Sequence, residues 1–429
     1  MKVHKKALII TYYWPPAGGP GVQRWLKFVK YLPEFGIEPI VYCPENPSYP
    51  ITDNSLIDEI PESITILKQP IKEPYRLANL LSQKSSKEIS SGVIPKQKKQ
   101  TFIQKLMLYI RGNFFIPDAR KNWIKPSVSF LSEYITKHNI ETIITTGPPH
   151  SLHLIGLQLQ QKHNINWLAD FRDPWTTIGY HKQLKLTKAS TEKHRNLESQ
   201  VLQSADQIIV TSENTKKEFA SKTKQPISVI TNGYDVHHIE RPKKDSKFTI
   251  SHIGSLLSER NPKQLWEALS ELVKENQSFS EEFQLHLIGV VSDDILQTLD
   301  HYGLSNHVSV LGYVSHDNAI KAQMSSRLLL LVEIDSEETK VIIPGKLFEY
   351  MVSETPILAV GPKDSDVETI LKTTNTGQYF YYDQKQAVKS QILSYFEAYK
   401  TNSLSVNSIG LQQYSRKALT KSLAYLLKD

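Results

Sequence analysis

The 429-residue sequence predicts an α/β protein made of two similar parallel-sheet domains in tandem, with a cleft between them. The length exceeds what one hydrophobic core usually supports. Short β-rich runs alternate with amphipathic helical patterns in both halves, the signature of strand-helix-strand units. A polar run, E-R-P-K-K-D-S-K from Glu240 to Lys247, separates the two halves as a linker.

In the first half the expected strands are Ala7 to Tyr13, Ile37 to Cys43, Ile64 to Lys68, Thr142 to Thr146, Asn166 to Asp170, Gln207 to Thr211 and Ser228 to Thr231. Val22, Trp25, Leu26, Val29 and Leu32 recur at helical spacing and mark the helix after the first strand. The second half has expected strands at Thr249 to Gly254, Gln284 to Gly289, Val308 to Val314, Leu328 to Ile334, Pro356 to Val360 and Tyr379 to Tyr382. Its first helix is announced by Asn261 as a cap and Pro262 in the first turn, followed by Leu265, Trp266, Leu269, Leu272 and Val273. A helical pattern from Tyr414 to Leu427 ends the sequence.

Composition narrows the class. A hydrophobic content of 39% with 22% charged residues is that of a soluble globular protein, and no apolar run approaches the roughly 18 residues of a membrane span. The basic start runs into Trp-Pro-Pro without a small-residue cleavage site and is expected to be a buried strand. One cysteine, Cys43, excludes an intrachain disulfide and a cysteine-rich metal site, so the expected localisation is cytoplasmic. The net charge of +7 suggests an anionic partner. Between Lys84 and Lys125 ten Lys/Arg face two acids, interleaved with apolar residues. Such an insertion either rests on an anionic membrane at the inner face or packs Phe102, Leu106 and Ile110 on its own domain. No recognised nucleic-acid module is present.

Four segments carry candidate chemistry. Gly18, Gly19 and Gly21 crowd the turn after the first strand, where backbone N–H groups can approach an anion or sugar; a tight turn without ligand is the plainer alternative. The segment is not G-x-G-x-x-G, and Tyr42, Cys43 and Pro44 end the second strand where a dinucleotide would need an acid, so nicotinamide-cofactor binding is disfavoured. T-T-G-P-P-H-S and A-D-F-R-D-P-W-T place His150, Arg172 and Asp173 at strand ends, either as site residues or with Arg172 and Asp173 as an ion pair tying down a loop. In H-I-G-S-L-L-S-E-R-N-P, Gly254 and Ser255 end a strand and Arg260 precedes a helix, where a guanidinium and free N–H groups can converge on phosphate. In I-I-P-G-K-L-F-E-Y, Pro344 and Gly345 suit a helix start, and Lys346 and Glu349 then share a face that could hold a nucleotide diphosphate and its ribose. The alternative is a helix packing Leu347, Phe348 and Met351, with both charges solvated.

Taken together, the glycine-rich turn, G-P-P-H-S, D-F-R-D-P-W, N-G-Y-D at Asn232 to Asp235, G-S-x5-R-N-P and P-G-K-L-F-E-Y resemble the bacterial retaining glycosyltransferases of family 4 over nearly the whole chain. The resemblance implies the GT-B fold, two Rossmann-like domains facing across a cleft, with a nucleotide sugar held mainly by the second. It implies domains at 1–242, with the basic insertion at 84–125, and at 243–405, and a segment 406–429 that crosses back to the first domain. Glu349 matches the second acid of the family's Glu-x7-Glu motif and would bind the ribose. Arg260 and Lys346 would neutralise the diphosphate without a metal, and Gly18 and Gly19 would meet the donor from across the cleft. His150, Arg172 and Asp173 would lie around the transferred sugar and acceptor. The first acid of the motif falls at Val341, which cannot bond a sugar hydroxyl, and Glu337 and Glu338 are out of register.

The expected activity is therefore transfer of a sugar from a nucleotide diphosphate sugar to a glycan or lipid-linked acceptor in surface polysaccharide assembly, with retention and without a metal or other cofactor. Two alternatives stand beside it: a nucleotide-sugar epimerase of similar fold, and a non-catalytic nucleotide- or glycan-binding protein.

Overall fold

A computed structural model describes residues 5–73, 102–182, 184–235 and 240–428. The chain divides into two compact units, Met1–Asn232 with Arg416–Asp429, and Gly233–Ser415.

The first unit is a parallel seven-stranded sheet of β1 (Lys5–Ile10), β2 (Ile37–Pro44), β3 (Thr65–Gln69), β4 (Thr142–Gly147), β5 (Asn166–Phe171), β6 (Gln207–Val210) and β7 (Ile227–Val229), in the order β3-β2-β1-β4-β5-β6-β7. Helices cover both faces, which is why strands such as A-L-I-I in β1 read as unbroken apolar runs. On one face Val22, Trp25, Leu26 and Val29 of the helix Pro20–Tyr31 pack with Leu419 and Leu423 of the terminal helix Arg416–Leu426. On the other, Leu152 and Ile155 of the helix Ser151–Lys162 pack with Trp123 and Trp167. Strand order reverses between β1 and β4, which opens a crevice at the carboxyl ends of those strands.

The second unit repeats the plan with six parallel strands: β8 (Phe248–Ile253), β9 (Phe283–Ile288), β10 (Val308–Gly312), β11 (Leu328–Val332), β12 (Ile357–Gly361) and β13 (Gly377–Tyr381). Their order is β10-β9-β8-β11-β12-β13, so the reversal falls between β8 and β11. β11, L-L-L-L-V, is buried along its whole length.

Each expected strand is present, with ends that coincide or shift by up to three residues. Three local expectations are corrected. Asn261 does not cap the helix Lys263–Glu275: its side chain is held by Trp266 Nε1 at 2.8 Å and by Thr298 at 3.0 Å, and Pro262 stands at the N-cap. The helix expected from Pro344 begins at Lys346 and runs only to Val352, with Gly345 at its N-cap. In the helix Phe102–Phe114 the inward face carries Leu108 and Gly112, while Leu106, Tyr109, Ile110 and Phe114 are exposed, so Leu106 and Ile110 do not pack on their own domain. The more basic part of that segment, including Lys84, Lys96, Lys98 and Lys99, lies outside the described residues. Among the described residues no helix is long and apolar enough to cross a membrane.

Candidate functional site

In the first unit the loops after β1, β4 and β5 share one edge of the sheet because these strands are neighbours. Asp170, near the end of β5, is fully buried. It accepts hydrogen bonds from Arg24 Nη2 at 2.9 Å, Trp25 Nε1 at 2.8 Å and Thr146 Oγ1 at 2.9 Å, and Arg24 also donates to Thr231 O. A buried charge needs such satisfaction, and this carboxylate has no capacity left for a ligand.

Arg172 donates through Nη2 to Pro148 O, and its guanidinium lies over the Tyr13 ring, 5.8 Å from the centroid. A Cβ on Gly21 would fall 1.5 Å from Arg172 Nη1, so that glycine makes room for the guanidinium and not for a ligand. Gly19, at φ 100°, is the N-cap of the helix Pro20–Tyr31 and faces open space, whereas Gly18 donates to Ile51 O. Arg172 and Asp173 form no ion pair among the described residues, which removes the loop-tying alternative. Burial pushes the Asp173 carboxyl up, and the nearby Arg172 charge opposes that rise.

His150 is enclosed, its ring stacked on Trp175 at 4.8 Å with an interplanar angle of 2°, and neither ring nitrogen has a hydrogen-bond partner. Burial and three neighbouring histidines hold it well below the usual imidazole range. Thr145 Oγ1 accepts from Trp167 Nε1 and lies 2.8 Å from His153 Nδ1; His194 accepts from Trp175 Nε1 at 3.1 Å. Burial first of all holds them down, at about 3 and about 4, so this edge carries neutral imidazoles at pH 7.

The second unit brings Gly254, Lys346 and Glu349 to its own switch point, where β8 ends. Gly254, at φ 111°, lies so close to Lys346 that a Cβ there would come within 2.8 Å of Nζ. Lys346 Nζ donates to Ile253 O at 2.8 Å and faces His252 Nε2 at 3.4 Å. His252 is buried with Nδ1 3.0 Å from Leu330 O, the arrangement of an Nδ1–H donor that leaves Nε2 free to accept. Burial, then the positive charge of Arg260, pulls the Lys346 amine down to about 7. Arg260 itself has no side-chain hydrogen bond or ion pair among the described residues. Ser255 is exposed beside Gly254, and Glu349, three residues after Lys346, accepts from Gln323 Nε2 at 3.2 Å. The site thus holds two basic groups, Arg260 and an amine poised near neutrality, with no carboxylate in ion-pair contact with either among the described residues.

Val341 lies in a turn, away from any polar role, and Glu337 pairs with Lys340 at the surface. The acid that the structure does place at the strand ends is Glu333, immediately after β11 and 3% exposed. It accepts from Ser365 Oγ at 3.0 Å and Tyr379 Oη at 2.7 Å, and burial pushes its carboxyl up to about 7. Sequence reasoning passed over His252 and Glu333. Both had a signal: the one titratable residue at the carboxyl end of a buried strand, F-T-I-S-H-I for His252 and L-L-L-L-V followed directly by Glu333. Among the described residues no three His, Cys, Asp or Glu side chains gather as a metal site.

Residues 235–403 match the family model of glycosyl transferases, group 1. That match covers the second unit, with Gly254, Arg260, Lys346 and Glu349 inside it. The whole chain is similar in fold to solved GT-B structures. Sucrose-phosphate synthase from Thermosynechococcus elongatus superposes with a TM-score of 0.61 at 13% identity, covering 99% of this chain and 98% of the other. A glycosyltransferase from Rickettsia africae gives 0.60 at 12% identity, with 99% and 98% coverage. The lipopolysaccharide outer core galactosyltransferase WaaB gives 0.56 at 13% identity, with 99% and 100% coverage. The fold is GT-B, with two Rossmann-like units. No curated protein matches the sequence.

Proposed function

We propose that this protein is a retaining, metal-independent glycosyltransferase that moves a sugar from a nucleotide diphosphate sugar to a glycan or lipid-linked acceptor. The observation that carries the reading is the pair of unneutralised cations, Lys346 and Arg260, at the switch point of the unit that matches the glycosyl transferase family. Catalysis of this transfer requires stabilising the charge that grows on the departing diphosphate, and fixed cations in a water-poor site do this without reorganisation. In this reading Lys346 and Arg260 hold the diphosphate oxygens, Gly254 and Ser255 let the backbone approach them, and Glu349 accepts from the ribose hydroxyls. Gly345 keeps the entry to the short helix open. The strand-end loops of the first unit, with Gly18, Gly19, His150, Arg172 and Asp173, serve the sugar and acceptor. His150, enclosed against Trp175, supports these loops as a neutral ring and not as an acid, because its ring stays unprotonated at pH 7.

The acceptor belongs to surface polysaccharide assembly, and the exposed Leu106, Tyr109, Ile110 and Phe114 beside Lys105 and Arg111 supply a peripheral contact with anionic membrane. The deciding experiment incubates the protein with a panel of nucleotide sugars, with and without glycan acceptors, and follows nucleotide products by chromatography. Release of nucleoside diphosphate only with acceptor, unaffected by EDTA, supports the proposal. An isomeric nucleotide sugar formed without acceptor identifies an epimerase, and chelator-sensitive activity rescued by magnesium removes the metal-independent assignment.

A further inference from the structure

On the first unit a polar groove begins three residues beyond Asp173. Its first part is a cavity of about 480 Å³ between Thr176 and Thr177, the short helix Gly179–Lys182, and the helix Lys188–Ser204, within the roughly 300–1,000 Å³ typical of ligand sites. A second hollow of about 610 Å³ shares Lys222 with it and is lined also by Gln203, Thr223, Lys224 and Gln225.

The chemistry of the lining is one-sided. Its single acid, Glu198, is 3% exposed and saturated: Oε1 accepts from Thr176 N at 3.0 Å, and Oε2 from Thr176 Oγ1 at 2.8 Å and Lys222 Nζ at 3.1 Å. Glu218 takes a further bond from Lys222 at 2.6 Å from outside the groove. Arg195 and Lys224 are exposed in the groove, and among the described residues neither has a carboxylate partner. Ser199 Oγ accepts from Gln203 Nε2 at 3.2 Å and so keeps its own proton to donate. Among the described side chains His181 is the one ring that lines either hollow. Neutral sugars present apolar faces that favour aromatic platforms, whereas anionic sugars are recognised by guanidinium, ammonium and hydroxyl donors.

We propose that this groove binds the anionic, non-reacting part of the acceptor: sugar units carrying carboxylate or phosphate, distal to the unit that receives the new linkage. This rests on the transferase reading for its place in the reaction, but the binding is testable without turnover. Arg195 in the first hollow and Lys224 in the second hold successive anionic groups, with Lys222, fixed by Glu198 and Glu218, common to both.

The experiment titrates the full chain, without donor, with hexagalacturonate, with maltohexaose as the neutral control, and with inorganic phosphate as the single-anion control, by calorimetry at low and physiological salt. Hexagalacturonate should bind more tightly than either control. Arg195→Glu with Lys224→Glu should weaken it roughly tenfold or more, the consequence of losing charge-assisted contacts. Lys125→Glu with Lys137→Glu, on another helix, should leave it unchanged, and all variants should retain wild-type circular dichroism and melting. The proposal is overturned if maltohexaose or phosphate binds as tightly as hexagalacturonate, if no oligosaccharide binds, or if both double variants weaken binding equally. If hexagalacturonate binds as expected while no nucleotide sugar is turned over, the groove stands and the transferase reading falls.

Discussion

The two units share a sheet plan and place polar residues at the same topological position, yet they treat charge in opposite ways. At the edge of the first sheet the central ion pair, Arg24 with Asp170, is closed on itself by Trp25, Thr146 and the backbone of Thr231, and the histidines are held neutral. At the edge of the second, Lys346 and Arg260 stand near one another with no carboxylate paired to either. Repulsion and burial there are unfavourable in the empty protein and are relieved by an anion. The difference teaches that equivalent crevices in a doubled fold need not do equivalent work: one is built to stay put, the other to receive charge.

The comparison would break most visibly at Asp170. Replacing it with Asn leaves Arg24 buried without its counter-charge, and breaking such a pair typically costs about 3–5 kcal/mol of stability. Denaturant unfolding should show that loss, while donor affinity of the folded fraction should stay at the wild-type value. A variant as stable as wild type, or one that folds normally but no longer binds nucleotide sugar, would mean that the Arg24–Asp170 pair is part of the ligand site and not a closed structural pair.

Lys346→Ala should show the reverse pattern, with stability kept and turnover reduced by about 2.7–4 kcal/mol of lost leaving-group stabilisation. The wild type carries a further signature. Its amine is pulled down to about 7, and a bound diphosphate favours the charged form, so donor binding takes up a proton. Donor affinity should therefore fall as pH rises through 7, and the fall should vanish in Lys346→Ala. A pH-independent affinity in wild type between 6 and 8.5 would separate Lys346 from the phosphate.

Why the fold was legible and the site only partly so follows from the same contrast. Strands buried on both faces write themselves as apolar runs, so A-L-I-I and L-L-L-L-V could be placed to within three residues. The lysine and glutamate three apart in K-L-F-E were legible because helical spacing sets their common face. Partnerships across the sheet were not. Nothing local tells that Gly21 is small to admit Arg172, that Asn261 is held by Trp266, or that Asp170 answers Arg24 across 146 positions of chain.

Glu333 sharpens the comparison inside the second unit, where it is the buried acid just past β11. Its carboxyl is pushed up to about 7 from the usual 4.5, so the protonated form is the one the fold prefers. The sign follows directly: full stability is present below pH 4.5 and is lost as pH rises through 7. Glu333→Gln should therefore match wild type in melting temperature near pH 4.5 and exceed it by pH 8, with a limit of about 3 kcal/mol at 1.36 kcal/mol per pH unit. A difference that is constant with pH would mean that the carboxyl is ionised throughout and held by its Tyr379 and Ser365 donors.

The smallest effect is asked of Glu349, and it tests whether the face it shares with Lys346 is a ligand face at all. Glu349 is only partly buried, with Gln323 Nε2 at 3.2 Å and His316 at 4.0 Å as its near partners, so removing it disturbs little of the fold. Glu354, past the end of the same helix, is tied at the surface to Arg241 and makes a fair control. If Glu349 accepts from the ribose, Glu349→Ala loses hydrogen bonds to a charged acceptor worth about 1.5–3 kcal/mol each, seen as a raised KM for donor, whereas Glu354→Ala stays near wild type. A glutamine at 349 keeps one acceptor oxygen and should recover part of the loss. Equal donor use by wild type and Glu349→Ala at sub-saturating concentration would leave Lys346 and Arg260 as an anion site without a nucleoside side, and would point the second crevice toward a simpler phosphate ligand.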